Sequence, residues 1–241
     1  MKKLRILQVE FDTDLKRYEL PAFRAAVASK AGHEHILFHN HLGNREYLHR
    51  YPRIQYKSIA GKAAITCLEE GIEEIHHFFN NPDWSIVIGE QEKRLSISRL
   101  NINQFTMQVW DSRFTYSIHN WLALNAENYR HYLSLPGLAD RLHMLEQLLT
   151  ANILSFAKGV DWTIDQQIQL SILHIPTEKI LKHKGIGLTA FNLQFSTNIF
   201  LPNFIGLGKG AGFGFGTVRE ERTSNNHNTS AHTHNAKNTS L

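Results

Sequence analysis

Apolar and polar positions alternate with a period of two at the start of the chain, where Leu4, Ile6, Val9 and Phe11 stand among polar neighbours and predict a first strand. The spacing then lengthens. Pro21 opens a stretch with Phe23, Ala26 and Val27 at helical intervals that stops at Gly32, with proline at the start and glycine at the end. After a histidine-rich stretch, RIQYKSI and AAITCL alternate again and are joined by Ala60–Gly61–Lys62, a hairpin pattern. Ile72, Ile75, Phe78 and Phe79 return to helical spacing across Glu69 to Phe79, with acidic residues in the early turns, and DWSIVIGE supplies a further strand. The order is β-α-β-β-α-β, the ferredoxin-like unit.

A second series follows, with strands expected around Leu95–Ile97, Phe105–Met107–Val109 and Phe114–Tyr116–Ile118. Leu138, Leu142, Leu145, Leu149, Ile153 and Phe156 then keep intervals of three and four and predict a core-packing helix. IQLSIL and LTAFNLQFS alternate as strands, a short turn or helix is expected near Pro202, and FGFGTVRE reads as the last strand. The fold expected is α+β: two tandem ferredoxin-like (βαββαβ) domains, residues 1–90 and 91–222, with a glycine-rich loop near the end of the second. Residues 223–241 hold almost no apolar side chain and are expected to form a disordered tail.

Composition narrows the function classes. With 241 residues and 42% apolar content the chain can bury a sizeable core, which excludes disorder of the whole. The net charge of +4 favours an acidic partner such as nucleic acid. The single cysteine, Cys67, lies in an apolar run; it excludes an internal disulfide and a cysteine-based zinc site, and it suits a reducing cytoplasm. No stretch reaches the about 18 apolar residues of a membrane-spanning helix, and MKKLRILQVEFD lacks the apolar core of a signal peptide. A soluble, cytoplasmic protein with no membrane partner is expected.

FIGLGKGAGFGFG, residues 204–216, places glycine at every even position: Gly206, Gly208, Gly210, Gly212, Gly214 and Gly216. It is not a phosphate loop of the nucleotide-hydrolase kind, because Lys209 is followed by Gly210 where a hydroxyl residue is needed. Nor does it open a dinucleotide-binding βαβ unit, since a strand and a polar tail follow it. A backbone without Cβ atoms approaches phosphate closely and its N–H groups bind anions, so a polyanion is the expected ligand, met by Lys209.

Gly206–Leu207–Gly208 and Gly214–Phe215–Gly216, separated by five residues that include Lys209, match the motif GhGxxxxxGhG, h being hydrophobic. In this the chain resembles the CRISPR-associated endoribonucleases that process repeat RNA, within the repeat-associated RNA-binding superfamily. HNHL, YPRIQYK and AAITCLEEG in the first half resemble one branch of that family, so the likeness runs from residue 1 to about residue 222. The resemblance implies two ferredoxin-like domains and a cofactor-free, metal-independent cleavage of CRISPR precursor RNA. In that reaction the repeat's 2′-OH attacks the adjacent phosphorus and leaves 2′,3′-cyclic phosphate and 5′-OH ends. It needs a base for the 2′ proton, an acid for the leaving oxygen and cations for the charge on phosphorus. Histidine fits both proton roles because its ordinary pKa is about 6.5. Partners implied are the precursor RNA, a CRISPR effector complex and a second copy of the chain in a homodimer. The alternative is a non-catalytic RNA-binding subunit of an effector complex. A small-molecule-binding or sensory protein of ferredoxin-like domains would leave the basic glycine ribbon unexplained.

Of 15 histidines, seven lie between His33 and His77. By resemblance His41 is the first choice for the catalytic histidine and His39 the second, with Tyr47 and Lys57 in support; His33 and His35 stay open because they follow the first helix. An extended His39–Asn40–His41 would point both imidazoles to one face, roughly 6.5 to 7 Å apart, a separation that straddles a phosphate. The same pair offers two zinc ligands, but Glu34 and Glu46 nearby give no convincing third, so no metal is expected. In YPRIQYK, period two sets Arg53, Gln55 and Lys57 on one face and Ile54 and Tyr56 on the other, and the polar face is expected to meet RNA. Lys179, Lys182, His183 and Lys184 are expected to form a basic turn that contacts phosphates, with Arg219 and Arg222 in the same role.

Overall fold

The computed structural model describes residues 1–39, 41–42, 46–47, 51–183 and 185–221. The first half runs β1 (Lys2–Asp14), α1 (Leu20–Ala31), β2 (His41–Leu42), β3 (Glu46–Tyr47), β4 (Ile54–Ile59), β5 (Lys62–Leu68), α2 (Glu70–Glu74), α3 (His76–Phe79), β6 (Ser85–Ile88), β7 (Gln91–Arg94) and β8 (Ile97–Met107). The second runs β9 (Val109–Trp121), α4 (Ala126–Ser134), α5 (Leu138–Gly159), β10 (Leu170–Ile172), β11 (Thr177–His183), β12 (Ile186–Ile199) and β13 (Thr217–Glu220). The result is an α+β fold of two domains, each built on an antiparallel sheet.

The first sheet has the order β4-β5-β1-β8. Its hairpin turns tightly because Ala60 and Gly61 both take positive φ, 50° and 79°, which matches the twist of the flanking strands. The flanking strand beside β1 differs from the sequence expectation. DWSIVIGE forms β6, which pairs with β7 in a separate hairpin, and β8 pairs with β1 instead. The sheet therefore extends past the boundary expected near residue 90. The reason is visible in β8 itself: most of its side chains, Leu100 and Ile102 included, are exposed, so its apolar signal is weaker than that of SIVI. The helix expected over Glu69–Phe79 is divided into α2 and α3 at Ile75.

β1 serves two cores. Leu7, Val9 and Phe11 pack under α1 with Phe23, Val27, Ile65 and Phe78, while Leu4 and Ile6, one residue out of phase and so on the opposite face, join the core of the second domain. That second core lies between α5, which contributes Leu145, Leu149, Ile153 and Phe156, and the sheet β10-β12-β9-β13. β11 pairs with the outer part of β12, so TEKILKH, expected as part of a basic turn, is a strand of a hairpin; Lys184 lies outside the described residues. The strand expected over Phe105–Val109 is split at Gln108, where the chain passes from one sheet to the other. α4 answers no apolar periodicity; Asn125 caps it, its Oδ1 accepting from Asn128 N at 2.7 Å. The short helical turn lies at Ala211–Phe213, and the last strand is only Thr217–Glu220; the tail from Arg222 lies outside the described residues. Among the described residues no helix is long and apolar enough to cross a membrane.

Candidate nucleic-acid interface

The glycine-rich segment folds back on itself between β12 and β13. Leu207 N donates to Gly216 O at 2.8 Å, Gly206 bridges Thr217, and Ile205, Leu207, Ala211 and Phe215 are buried. Gly208, Gly210, Gly214 and Gly216 all have positive φ. At Gly216, with φ 58°, a Cβ would also lie 2.0 Å from Leu207 O, so both backbone and space demand glycine there. The ribbon read from sequence is thus a compact double turn. Gly206 and Gly216 are buried inside it and face protein rather than RNA, whereas Lys209 is exposed and Gly208, Gly210, Gly212 and Gly214 are half-buried.

Its underside rests on β4 and the residues just before it. Gly206 N donates to Gln55 Oε1 at 2.9 Å, Tyr51 Oη donates to Gly206 O at 2.7 Å, and Lys57 Nζ donates to Ala211 O at 3.0 Å. Arg53 Nη2 reaches Asp161 Oδ2 at 2.8 Å. The alternation of Arg53, Gln55 and Lys57 against Ile54 and Tyr56 holds, but the polar face is covered by the second domain: the three residues are at most 6% exposed. Gln55 and Lys57 satisfy backbone groups of the glycine turns, which an apolar face would leave unpaired at a cost of about 1–3 kcal/mol each, while Arg53 pairs with the carboxylates of Asp161 and Glu70. This corrects the assignment of Arg53 and Gln55 to RNA and of Lys57 to the reaction. Burial, with Arg17 nearby, pushes the Lys57 ammonium down to about 7.

The outer side has a different character. Phe213 and Phe215 project there, and the guanidinium of Arg24 lies 4.4 Å from the Phe213 centroid, that of Arg17 4.5 Å from the Phe215 centroid. A hollow of about 550 Å³ is lined by Arg17, Tyr18, Lys182, His183, Phe213 and Phe215 among others, and His183 meets Phe215 edge-on at 5.1 Å. A neighbouring hollow of about 260 Å³ holds Arg17, Ser58, His119, Gly214 and Arg219. No carboxylate is among the described lining residues of either. Arg17 lines both, and its Nη2 is buried with no hydrogen-bond partner among the described residues. Burial lowers its pKa to about 10, which leaves it charged at neutral pH. Burial, then Arg219, depresses the His119 pKa below its ordinary value. Cations, flat aromatic faces and absent carboxylates are what a nucleic-acid backbone with unstacked bases requires.

The histidine segment meets this surface through α1. Arg24, the arginine on Phe213, also donates from Nε to Phe38 O at 3.2 Å and from Nη2 to His39 O. One side chain therefore ties the segment entering His39 to the glycine-rich turn. His39 Nε2 donates to His33 O at 2.9 Å. The chain is not extended at His39, where φ is −128° and ψ −9°, so the extended backbone expected for His39–Asn40–His41 is not met at its first residue. His41 pairs with Tyr47 across the β2–β3 ladder, and the side chains of both lie outside the described residues. His35 is engaged elsewhere, Nδ1 donating to Glu74 Oε2 at 3.1 Å.

The structure thus places Lys182 on the first hollow and Gly214 and Arg219 on the second, with Arg17 lining both, leaves Lys209 exposed on the glycine-rich segment, and withdraws Arg53, Gln55 and Lys57. Arg17 and Arg24 were missed. The run Lys16–Arg17–Tyr18 just before Pro21 was the available signal for the first; Arg24 carries none, being a single charged residue within the predicted first helix.

Comparison with known proteins gives consistent results. The model of the Cas6b N-terminal domain matches residues 2–106 and that of the Cas6b C-terminal domain matches residues 108–221, dividing where β8 passes into β9. A crystal structure of Cas6b is similar with a TM-score of 0.83 at 25% identity, over 91% of this chain and 100% of that one. A crystal structure of the CRISPR RNA processing endoribonuclease Cas6b shares the fold with a TM-score of 0.70 at 22% identity, over 91% and 100%. An uncharacterized protein of Methanocaldococcus jannaschii is 34% identical over 101 residues, 42% of this chain and 67% of that protein. With the two domain models together spanning nearly all of its length, the chain belongs to the Cas6b family.

Proposed function

We propose that the protein is an endoribonuclease that cleaves CRISPR precursor RNA within the repeat. The reaction is metal-independent: the 2′-OH attacks the adjacent phosphorus, and 2′,3′-cyclic phosphate and 5′-OH ends result. His41 is the principal proton-transfer group, His39 the second, with Tyr47 in support. Both domains are read as ferredoxin-like, the order β4-β5-β1-β8 being that of a βαββαβ sheet whose last strand is β8. Lys209, Arg219 and Lys182 grip phosphates, and the half-buried glycines let the RNA backbone approach. The partner is the repeat RNA; delivery of the product to an effector complex and pairing into a homodimer complete the reading.

The observation that carries this reading is Arg24. It joins the entry to His39 with Phe213 on the glycine-rich turn, so an RNA held on the outer side lies beside the histidine segment. The test uses the full chain with its cognate repeat RNA in EDTA, beside His41→Ala, His39→Ala and a substrate with 2′-deoxy at the cleavage position. The wild type is expected to cut in EDTA and to leave the 2′-deoxy substrate whole. His41→Ala is expected to bind normally and to cut at least about 100-fold more slowly. Wild-type protein that binds the repeat without cutting it defeats the enzyme reading and leaves an RNA-binding subunit. Loss of cutting in EDTA defeats metal independence.

A further inference from the structure

Away from the interface, three ligand-type side chains converge between α1 and the α2–α3 turn. His35, Glu74 and His77 each place a ring nitrogen or carboxylate oxygen within 4.8 Å of the others. Glu74 and His77 are three residues apart, and Ile75, where α2 passes into α3, keeps right-handed helical angles, φ −61° and ψ −20°, so the pair lies on one face of that junction. His35 arrives from the segment after α1. Its Nδ1 lies 3.1 Å from Glu74 Oε2, and its ring stacks on His77 with centroids 3.6 Å apart and 25° between the planes. Its other nitrogen, Nε2, lies 3.7 Å from Glu34 Oε1.

We propose that His35, Glu74 and His77 form a divalent-cation site suited to zinc, which ties the start of the histidine segment to the α2–α3 turn. Two imidazoles and one carboxylate are a donor set that zinc takes, with the fourth position left to water. Ligands about 2.0–2.1 Å from zinc in a tetrahedron are separated by about 3.3 Å, close to the His35–Glu74 distance already present. His77 closes the rest. Its ring is exposed and rotates off the stack, without disturbing the core, until a nitrogen points at the ion. With Nδ1 of His35 on the metal, Nε2–H turns toward Glu34, and a carboxylate in that position orients a ligand imidazole and raises its basicity. The site has a structural consequence for the chain. His35 is anchored by the metal, Phe38 and His39 by Arg24, so the segment that leads to His41 is held at two points. This inference is independent of how the RNA is cut.

The test uses the full chain, stripped with EDTA, desalted and titrated with Zn²⁺, with Co²⁺ as a coloured substitute. One equivalent of zinc is expected to bind and raise the thermal unfolding midpoint, and Co²⁺ to give the visible absorption of a four-coordinate site. His77→Ala and, separately, Glu74→Gln should weaken zinc binding at least about 100-fold and abolish the shift in midpoint, because each removes a direct ligand. His41→Ala, His39→Ala and a His232→Ala/His234→Ala tail variant serve as controls for the other histidines and should keep both. Both ligand residues lie outside the core, and unfolding midpoints in EDTA equal to that of the wild type verify that the variants fold. A wild type with no zinc-dependent shift overturns the site, as does an equal shift in His77→Ala and Glu74→Gln.

Discussion

The two sides of the glycine-rich turn treat cations in opposite ways. Beneath it, Lys57 is enclosed, donates to Ala211 O, and sits among Gln55 and Tyr51, which hold Gly206. Outside it, Lys182, Lys209 and Arg219 are exposed and Arg17 spans two hollows that no described carboxylate lines. The inner groups use their hydrogen bonds on the backbone of the turn, at Gly206 and Ala211. The outer groups leave their charge exposed to solvent, where the proposed function has RNA bind. A polar residue next to a glycine-rich turn is thus no evidence of ligand binding until its side of the turn is known.

This contrast is open to attack on stability first. Gly216→Ala forces a Cβ to within 2.0 Å of Leu207 O at φ 58°, and is expected to destabilise the fold by at least about 2 kcal/mol in urea unfolding. An unchanged midpoint would mean that the inner side is not under the constraint described. Lys57→Met is expected to act less and in a pH-dependent way. Burial lowers the folded pKa to about 7 from the ordinary 10.5, so between those values the unfolded chain binds more protons. Wild-type stability should therefore rise with pH across that window, the cost of charging the buried amine being complete below it. The difference between wild type and Lys57→Met, followed from pH 6.5 to pH 10, should show that rise; a pH-independent difference contradicts an amine held near neutrality.

The sequence made α1 legible because proline opens it and glycine closes it, α5 because its apolar positions keep helical intervals over the whole helix, and β4 because its alternation is strict. That same alternation misled about function. Arg53, Gln55 and Lys57 look like a solvated face, and it is the distant backbone at Gly206 and Ala211, with Asp161, that turns that face inward. β8 was undervalued for the reverse reason, since its one partner is β1 and its outer side chains face solvent. The glycine periodicity located the turn correctly, yet six identical letters could not say which are buried. Arg17 and Arg24 gain meaning only from Phe213 and Phe215, which the chain brings to them from its far end.

The smallest effect on stability belongs to the outer side and carries the most direct test. Lys182→Ala/Lys209→Ala/Arg219→Ala replaces exposed residues, so the unfolding midpoint should move by no more than about 0.5 kcal/mol per site. Repeat-RNA affinity should then be measured against salt for the wild type, for this triple variant and for Lys57→Met. The expected result is a slope of log K on log salt shallower by about 2 in the triple variant, about 0.7 for each lost phosphate contact, and unchanged in Lys57→Met. A triple variant with the wild-type slope, or an equal loss in Lys57→Met, would contradict the division between an inner side that shapes the turn and an outer side that holds RNA.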